Sequence, residues 1–402
     1  MESDPQVPLT RVQYCAIYSV GFFCLSTVQM MAVLTPLYVA HLGYAPFLAG
    51  IIIGSRGVSS AMLAIHGGAL MDRLGPRRVV LCVTFMGMIT PPLFLVVTWA
   101  PAMILLQMAS GLVTSFSWIG TFALMGQILN ANTRHAGHLT FFSRIGTFAG
   151  PPLIGILYDQ IGFVGGFWFM SGWCAVLFIS ALLMPSGTAS VTGDGKLTVH
   201  DILPRWSDYA LSFRLLATPA VALIGAVSAL TIATGSIQSS FYLVHLQQGG
   251  FSGTLIGTLL ATAAFCATVA TLFTDRMTQH LNPTMILLGT AIAAIVSIAV
   301  APFFGSVVAI FIVLSIRGIA DGMNQPLLFT EMSKAVGGDS QGRAVGLRIA
   351  LNRASTASTP MILGGLIQLT DFETAFLAAG SAMLLILWVV AVIAHKATKA
   401  AP

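Results

Sequence analysis

The sequence predicts an all-α membrane protein with twelve transmembrane helices in two pseudo-symmetric six-helix halves. Three observations carry that expectation: composition, the length of the apolar runs, and the placement of lysine and arginine. The 402 residues are 56% hydrophobic and 8% charged, with a mean hydropathy of +0.89. A soluble domain carries about 25% charged residues. Here too few polar side chains exist to cover a globule, so most of the surface must face lipid.

Crossing about 30 Å of hydrocarbon takes about 20 apolar residues as helix. Runs of that kind fall at 13–40, 46–70, 79–98, 101–127, 138–158, 162–185, 215–245, 252–273, 284–302, 305–333, 343–368 and 373–395. They are continuous, without the alternation of barrel strands, and helices alone satisfy the backbone within each segment. Six connections, near 41–46, 98–101, 159–162, 246–252, 302–305 and 369–373, hold no lysine or arginine. The termini and the other five connections hold thirteen of the eighteen. The positive-inside rule then places both termini in the cytoplasm of a multi-pass plasma-membrane protein, here expected in a bacterial inner membrane.

The first residues are polar and the following run is too long for a signal core, so no cleavable signal peptide is expected. Cys15, Cys24, Cys82, Cys174 and Cys266 all lie in apolar runs without metal-ligand spacing, as small hydrophobes. The polar stretch 186–214 reads as a cytoplasmic linker between an N-terminal half, 1–185, and a C-terminal half, 215–402. Its later part, "DILPRWSDYALSFRLL", sets Trp206 and Phe213 among charges and suggests a segment lying on the membrane surface.

The halves repeat each other. "YVAHL" (38–42) matches "YLVHL" (242–246), Gly54 matches Gly257, and Asp72-Arg73 matches Asp275-Arg276. Later, Arg134, Gly137, Arg144, Pro151 and Gly155 align with Arg343, Gly346, Arg353, Pro360 and Gly364. Weak internal symmetry of this kind is how alternating-access transporters are built, with substrate held between the halves near the midplane.

The loop "GGALMDRLGPRR" (67–78) gathers charge in a chain that has little. Its arginines alone read as a positive-inside anchor. The glycine spacing and the degenerate copy "TDRMTQH" (274–280) favour a gate, with Asp72 near a helix N-terminus of the other half. The loop resembles the G-x-x-x-D-R-x-G-[RK]-[RK] signature of the major facilitator superfamily, carried by Gly68, Asp72, Arg73, Gly75, Arg77 and Arg78, with Pro76 in a position often basic. "GTFAGPPLIG" (146–155) looks like an element of that superfamily's drug/proton antiporters, through Gly146, Gly150, Pro151 and Gly155. Its small residues and proline suit a helix packed closely at the interface between halves. Gln107 of "QMASG" stands where the resemblance places a proton-moving arginine, a departure from the pattern the resemblance implies.

Five arginines remain inside the spans: Arg56, Arg144, Arg317, Arg348 and Arg353. Opposing them are Asp321 and, near the inner end of span ten, Glu331. Each embedded charge costs roughly 2.5–3.5 kcal/mol on insertion scales and faces a partner or a wet cavity. The excess makes the interior positive. Arg317 and Asp321, four apart, share a helix face and read either as a structural ion pair or as a working pair that grips an anion and takes protons. Asn324 and Gln325 follow one turn later.

Arg144 and Arg353, repeat mates, read as coupling or gate residues, with substrate contact the lesser reading. Arg56 reads as structural, and Arg348 as snorkelling to the inner surface. Further cavity candidates are Gln29, Met30, Met31 and Tyr38 in span one; Phe116, Trp118 and Phe122 in span four; and Gln238, Phe241 and Tyr242 in span seven.

The chain is therefore expected to be a secondary transporter, a proton-coupled exporter of amphipathic drug-like or metabolite molecules favouring organic anions or zwitterions. The alternative is an uptake symporter or exchanger of small organic anions such as carboxylates. A cationic-drug pump calls for unpaired acids in spans one or four, and neither has one. H-E-x-x-H, paired intramembrane carboxylates and the P-loop are all missing from the sequence, so neither an enzyme nor an ATP-driven pump is expected. No cofactor, metal or nucleic acid is expected; the partners are a small substrate, protons and the bilayer, and the chain is expected to be a monomer. A non-transporting receptor on the same fold remains open.

Overall fold

The computed structural model describes residues 10–128, 133–185, 215–336 and 341–400, with some side chains inside helices also left aside. The predicted linker, 186–214, lies outside the described residues. Helices run in the order α1 (Arg11–His41), α2 (Pro46–Leu74), α3 (Pro76–Val96), α4 (Ala100–Ile128), α5 (Thr133–Leu183), α6 (Pro219–Gln238), α7 (Phe241–Gln248), α8 (Gly253–Thr278), α9 (Pro283–Val300), α10 (Val307–Val336), α11 (Gln341–Leu369) and α12 (Phe372–Ala400). Nine stretches among the described residues are long and apolar enough to cross a membrane. One of these, Gly137–Leu183, has 47 residues, about 70 Å of helix at 1.5 Å per residue, more than twice what one crossing needs. It is broken at Gly162, where φ is +64°, which leaves room for two crossings in α5.

Helix ends follow local chemistry. Thr10 and Gln13 form a reciprocal capping box at the start of α1. Asn282 accepts from the Thr284 N–H at 2.9 Å ahead of Pro283, opening α9. Asp371 accepts from the Thr374 N–H at 2.9 Å and hydroxyl at 2.8 Å at the head of α12; these bonds, the N–H first, hold its carboxyl below the ordinary carboxylate range. Within the helices, hydroxyls of residues such as Thr84, Thr121, Ser143 and Thr231 donate to carbonyls four residues back. They are thereby satisfied where lipid offers nothing.

The turn between α2 and α3 corrects the expected boundaries. Helix α2 continues to Leu74, and Gly75 alone makes the turn, at φ +82°, with Pro76 as the first residue of α3. Only glycine adopts that φ without penalty. The predicted loop residues Asp72 and Arg73 thus lie in the last helical turn, with Gly68 earlier in the same helix; the side chains of Asp72 and Arg73 lie outside the described ones.

The packing is tight at one end and open at the other. Helix α2 packs along α11, and α5 along α8, joining the two halves by two seams. One apolar core draws Leu37, Phe94 and Phe167 from the first half and Tyr242, Leu259 and Phe376 from the second. It lies toward the end whose connections lack lysine and arginine, the neutral end. The other cores each stay within one half: around Ile17 and Leu124, around Met71 and Phe116, and around Ile224 and Leu328. Toward the basic end the described halves therefore separate.

Candidate functional site

Glycines make the seams. A Cβ on Gly257 would overlap the Pro151 carbonyl oxygen, and one on Gly155 the Gly253 carbonyl. The repeat-related seam does the same: Gly54 abuts the Ala357 carbonyl, Gly50 that of Pro360, and Gly364 that of Pro46. Residues singled out by repetition, Gly54, Pro151, Gly155, Gly257, Pro360 and Gly364, are thus those at which the halves touch. Gly146 and Gly150 of the same motif face α1 instead, at Phe22 and Ser26.

Hydrogen bonds fasten the neutral end. Asp159 of α5 accepts from the Gly253 N–H at 2.7 Å, the Thr254 N–H at 2.8 Å and the Thr254 hydroxyl at 2.6 Å, capping α8 from the other half. Beside it Gln247 Nε2 donates to the Tyr158 hydroxyl at 2.7 Å. On the α2–α11 side the Phe47 N–H donates to Gln368 Oε1 at 3.2 Å. The described hydrogen bonds between the halves all lie here. Asp159 escaped the sequence reading, although an acid in a connection without lysine or arginine was its available signal.

Bonds to a charged group contribute about 1.5–3 kcal/mol each when buried, less at this exposed rim. Asp159→Ala is expected to move the balance toward an open neutral end by about tenfold, roughly 1.4 kcal/mol. Spin labels on His41→Cys and Gln248→Cys, in a background without the native cysteines, should report a longer-distance population. An unchanged distance distribution would mean that the latch contributes nothing.

Toward the basic end the halves enclose a cavity of about 410 Å³, within the range of small-molecule sites. Arg56 of α2, Arg144 of α5 and Arg353 of α11 line it, with Trp118 of α4 and hydroxyls including Ser60, Ser115 and Thr356. Among the described residues no carboxylate lines it. Most of its hydroxyls donate elsewhere: Ser143 to Leu139, Thr147 to Ser143, Thr356 to Asn352, and Ser115 to Ser60. The guanidiniums are left as its principal donors. Arg56 donates to the Val28 carbonyl at 3.3 Å, and Arg56 and Arg353 are close enough to repel each other. Arg56, expected to be structural, instead also borders two smaller cavities. In one, of about 40 Å³, Gln107 is 2% exposed and its Oε1 has no partner.

A second polar cluster lies in the C-terminal half. Arg317, 8% exposed, donates through Nη1 to Gln238 Oε1. Its Nε has no partner. The expected Arg317–Asp321 ion pair is not made: the one ion pair among the described residues is Lys334–Glu331, at 2.8 Å. Four-residue spacing fixes a shared face but not a contact, and Gln238 on α6 takes the guanidinium instead. Asp321 accepts from Gln325 Nε2 at 3.5 Å, and Gln325 Oε1 accepts from Arg348 Nη2 at 2.8 Å. Arg348 also donates to Ser228 at 3.2 Å, so it joins this network rather than reaching for the inner surface. Buried Asn324 accepts from Thr290 at 2.8 Å and donates to Thr231 at 3.4 Å.

Other sequence candidates have packing roles here. The Tyr38 hydroxyl donates to the Phe94 carbonyl at 3.1 Å, its ring among Phe163 and Phe167. Tyr242 is fully buried. Met30, Met31 and Phe241 are buried in the shared core, and Phe116 in a core of the first half. Gln29 is half-buried on α1. Phe122 stacks edge-on against Trp118, centroids 4.6 Å apart. At the basic end Arg77 donates to the Leu182 carbonyl at 2.6 Å, capping the end of α5. Arg78, Asp275 and Arg276 are exposed there, with Arg276 over the Phe273 ring.

Known proteins match this architecture. The chain fits the Major Facilitator Superfamily over residues 17–353 and 236–402. It is 21% identical over 372 residues to the enterobactin exporter EntS of Salmonella typhi, covering 89% of this chain and 86% of that protein, and equally to that of Salmonella typhimurium. The nucleoside transporter NupG superposes with a TM-score of 0.77 at 13% identity, over 95% of this chain and 99% of that one. An inward-facing, unoccupied bacterial homologue of the human lysosomal transporter Spinster superposes at 0.72 and 14%, over 98% of each chain. With two helical halves, glycine seams and a cavity between them, this chain is a multi-pass membrane transporter belonging to the Major Facilitator Superfamily.

Proposed function

We propose that the chain exports amphipathic organic anions by alternating access, driven by protons. The observation that carries this reading is the cavity between the halves, lined among the described residues by three arginines and no carboxylate. Cavity charge of one sign recruits the opposite sign, and a cationic cargo is repelled there. The likeness to an enterobactin exporter favours export over uptake.

In this reading the halves are residues 1–185 and 215–402, joined by 186–214, and the basic end faces the cytoplasm. The molecule then loads from the cytoplasm while Asp159, Tyr158 and Gln368 hold the outer end shut. Asp321 is the proton site: its charge is relayed through Gln325 to Arg348, so protonation loosens a network that ties α10 to α11 and α6. Arg317, held by Gln238, supports anion binding from the second half. Asp72, Arg73, Arg77, Arg78, Asp275 and Arg276 belong to the basic-end gate that forms when the halves rock together.

Everted membrane vesicles test direction and coupling together. Vesicles acidified inside are expected to accumulate labelled aromatic carboxylates, and Asp321→Asn is expected to abolish the dependence on the pH gradient while leaving anion exchange. Accumulation only by right-side-out vesicles would make the chain an uptake system. Accumulation that ignores the gradient in the wild type would remove the proton from the mechanism.

A further inference from the structure

We infer that the arginine-lined cavity takes an anion bearing two separate acidic groups joined by a flat apolar body. This rests on the organic-anion reading above and narrows it to a class of cargo.

The arginines do not form a single cluster. Arg56 and Arg353 come from α2 and α11, which pack along one seam, and they lie close enough to repel each other. Arg144 comes from α5, which packs along the other seam against α8. Arg56 and Arg353 therefore reach the cavity from one seam and Arg144 from the other. A lone carboxylate or sulfonate engages the arginines of one of these two sides. It neutralises that side and leaves the other without a counter-charge.

The groups at the two ends are free to engage. Neither Arg144 nor Arg353 has a hydrogen-bond or ion-pair partner among the described residues, and Arg56 has only the Val28 carbonyl. An arginine fork binds a planar or tetrahedral oxyanion through paired N–H donors. Among the described residues the cavity wall offers no further charge. It carries the Trp118 indole, half-buried and braced edge-on by Phe122. That face suits an aromatic or otherwise flat linker. The acid near Arg56 and Arg353 also offsets their mutual repulsion, and it joins a helix of each half. The second acid binds at Arg144 across the cavity.

Calorimetry on the purified full-length protein in detergent tests this with three probes of one shape: biphenyl-4,4′-disulfonate, biphenyl-4-sulfonate and neutral 4-(hydroxymethyl)biphenyl. The disulfonate is expected to bind at least about tenfold more tightly than the monosulfonate, and the neutral probe more weakly than both. Arg144→Gln is expected to abolish the difference between the two sulfonates, and Arg144→Lys to restore part of it. Equal affinity of the two sulfonates for the wild type overturns the two-group site while leaving an organic-anion transporter standing. Failure of both sulfonates to bind, with a biphenyl quaternary ammonium binding instead, overturns the organic-anion reading as well. The wild-type comparison decides the matter even if an Arg144 variant proves unstable.

Discussion

Arg56→Gln is expected to lower organic-anion counterflow by about 10- to 100-fold while leaving the protein as stable as the wild type or more so. The transport loss follows from removing one charge-assisted partner of the cargo, a contribution of about 1.5–3 kcal/mol. The stability gain follows from the surroundings. Arg56 has one described hydrogen bond, to a carbonyl at 3.3 Å, and faces the like charge of Arg353. Such a charge is an uncompensated cost in the unloaded protein, and a neutral side chain of similar size relieves it. A structural arginine behaves in the opposite way: its loss lowers the melting temperature and the activity together. Melting curves and counterflow on the same preparation separate the two, and a fall in melting temperature of several degrees would return Arg56 to the structural reading.

Gly257→Val is expected to abolish transport, with the neutral end held open. No side chain fits at Gly257, because a Cβ there overlaps the Pro151 carbonyl of the facing helix. The conflict is with backbone, so α5 and α8 must part. Overpacking of this kind costs about 1–3 kcal/mol, and the whole cost falls on the conformation in which this seam is closed. A carrier alternating between two states separated by a few kcal/mol then stays in the other. Gly155→Val and Gly54→Val are expected to act alike, at the Gly253 and Ala357 carbonyls. Gly172, with open space around it, is the control: Gly172→Ala should transport normally. A longer distance between spin labels at His41 and Gln248 reports the open state. Wild-type transport by Gly257→Val would mean that the seam does not close during the cycle.

The architecture was legible in the sequence because lipid imposes it. Apolar runs of fixed length and strict alternation of basic connections leave little freedom. The glycine and proline matches between the halves were legible for a related reason: helices that approach backbone to backbone exclude side chains, and that requirement is written in residue identity. Charge partners were harder to read. Arg317 and Asp321 share a face, yet Arg317 reaches Gln238, 79 residues away. Arg56 read as structural, because whether it shares a cavity with Arg353 depends on how α2 lies along α11. Asp159 caps α8 from 94 residues away, a contact that only the folded arrangement of the halves creates. Helix ends erred where one residue decides: Gly75 permits α2 and α3 to meet in a single-residue turn, which extends α2 beyond its apolar run to Leu74.

Counterflow in proteoliposomes tests the central claim most directly, since it needs neither an ion gradient nor knowledge of direction. Vesicles loaded with an unlabelled aromatic disulfonate are expected to take up the labelled compound, and Arg56→Gln to lose most of that exchange. A quaternary ammonium of the same size should not be exchanged by either protein. Exchange of the cation, undiminished in Arg56→Gln, would contradict an arginine-lined anion site.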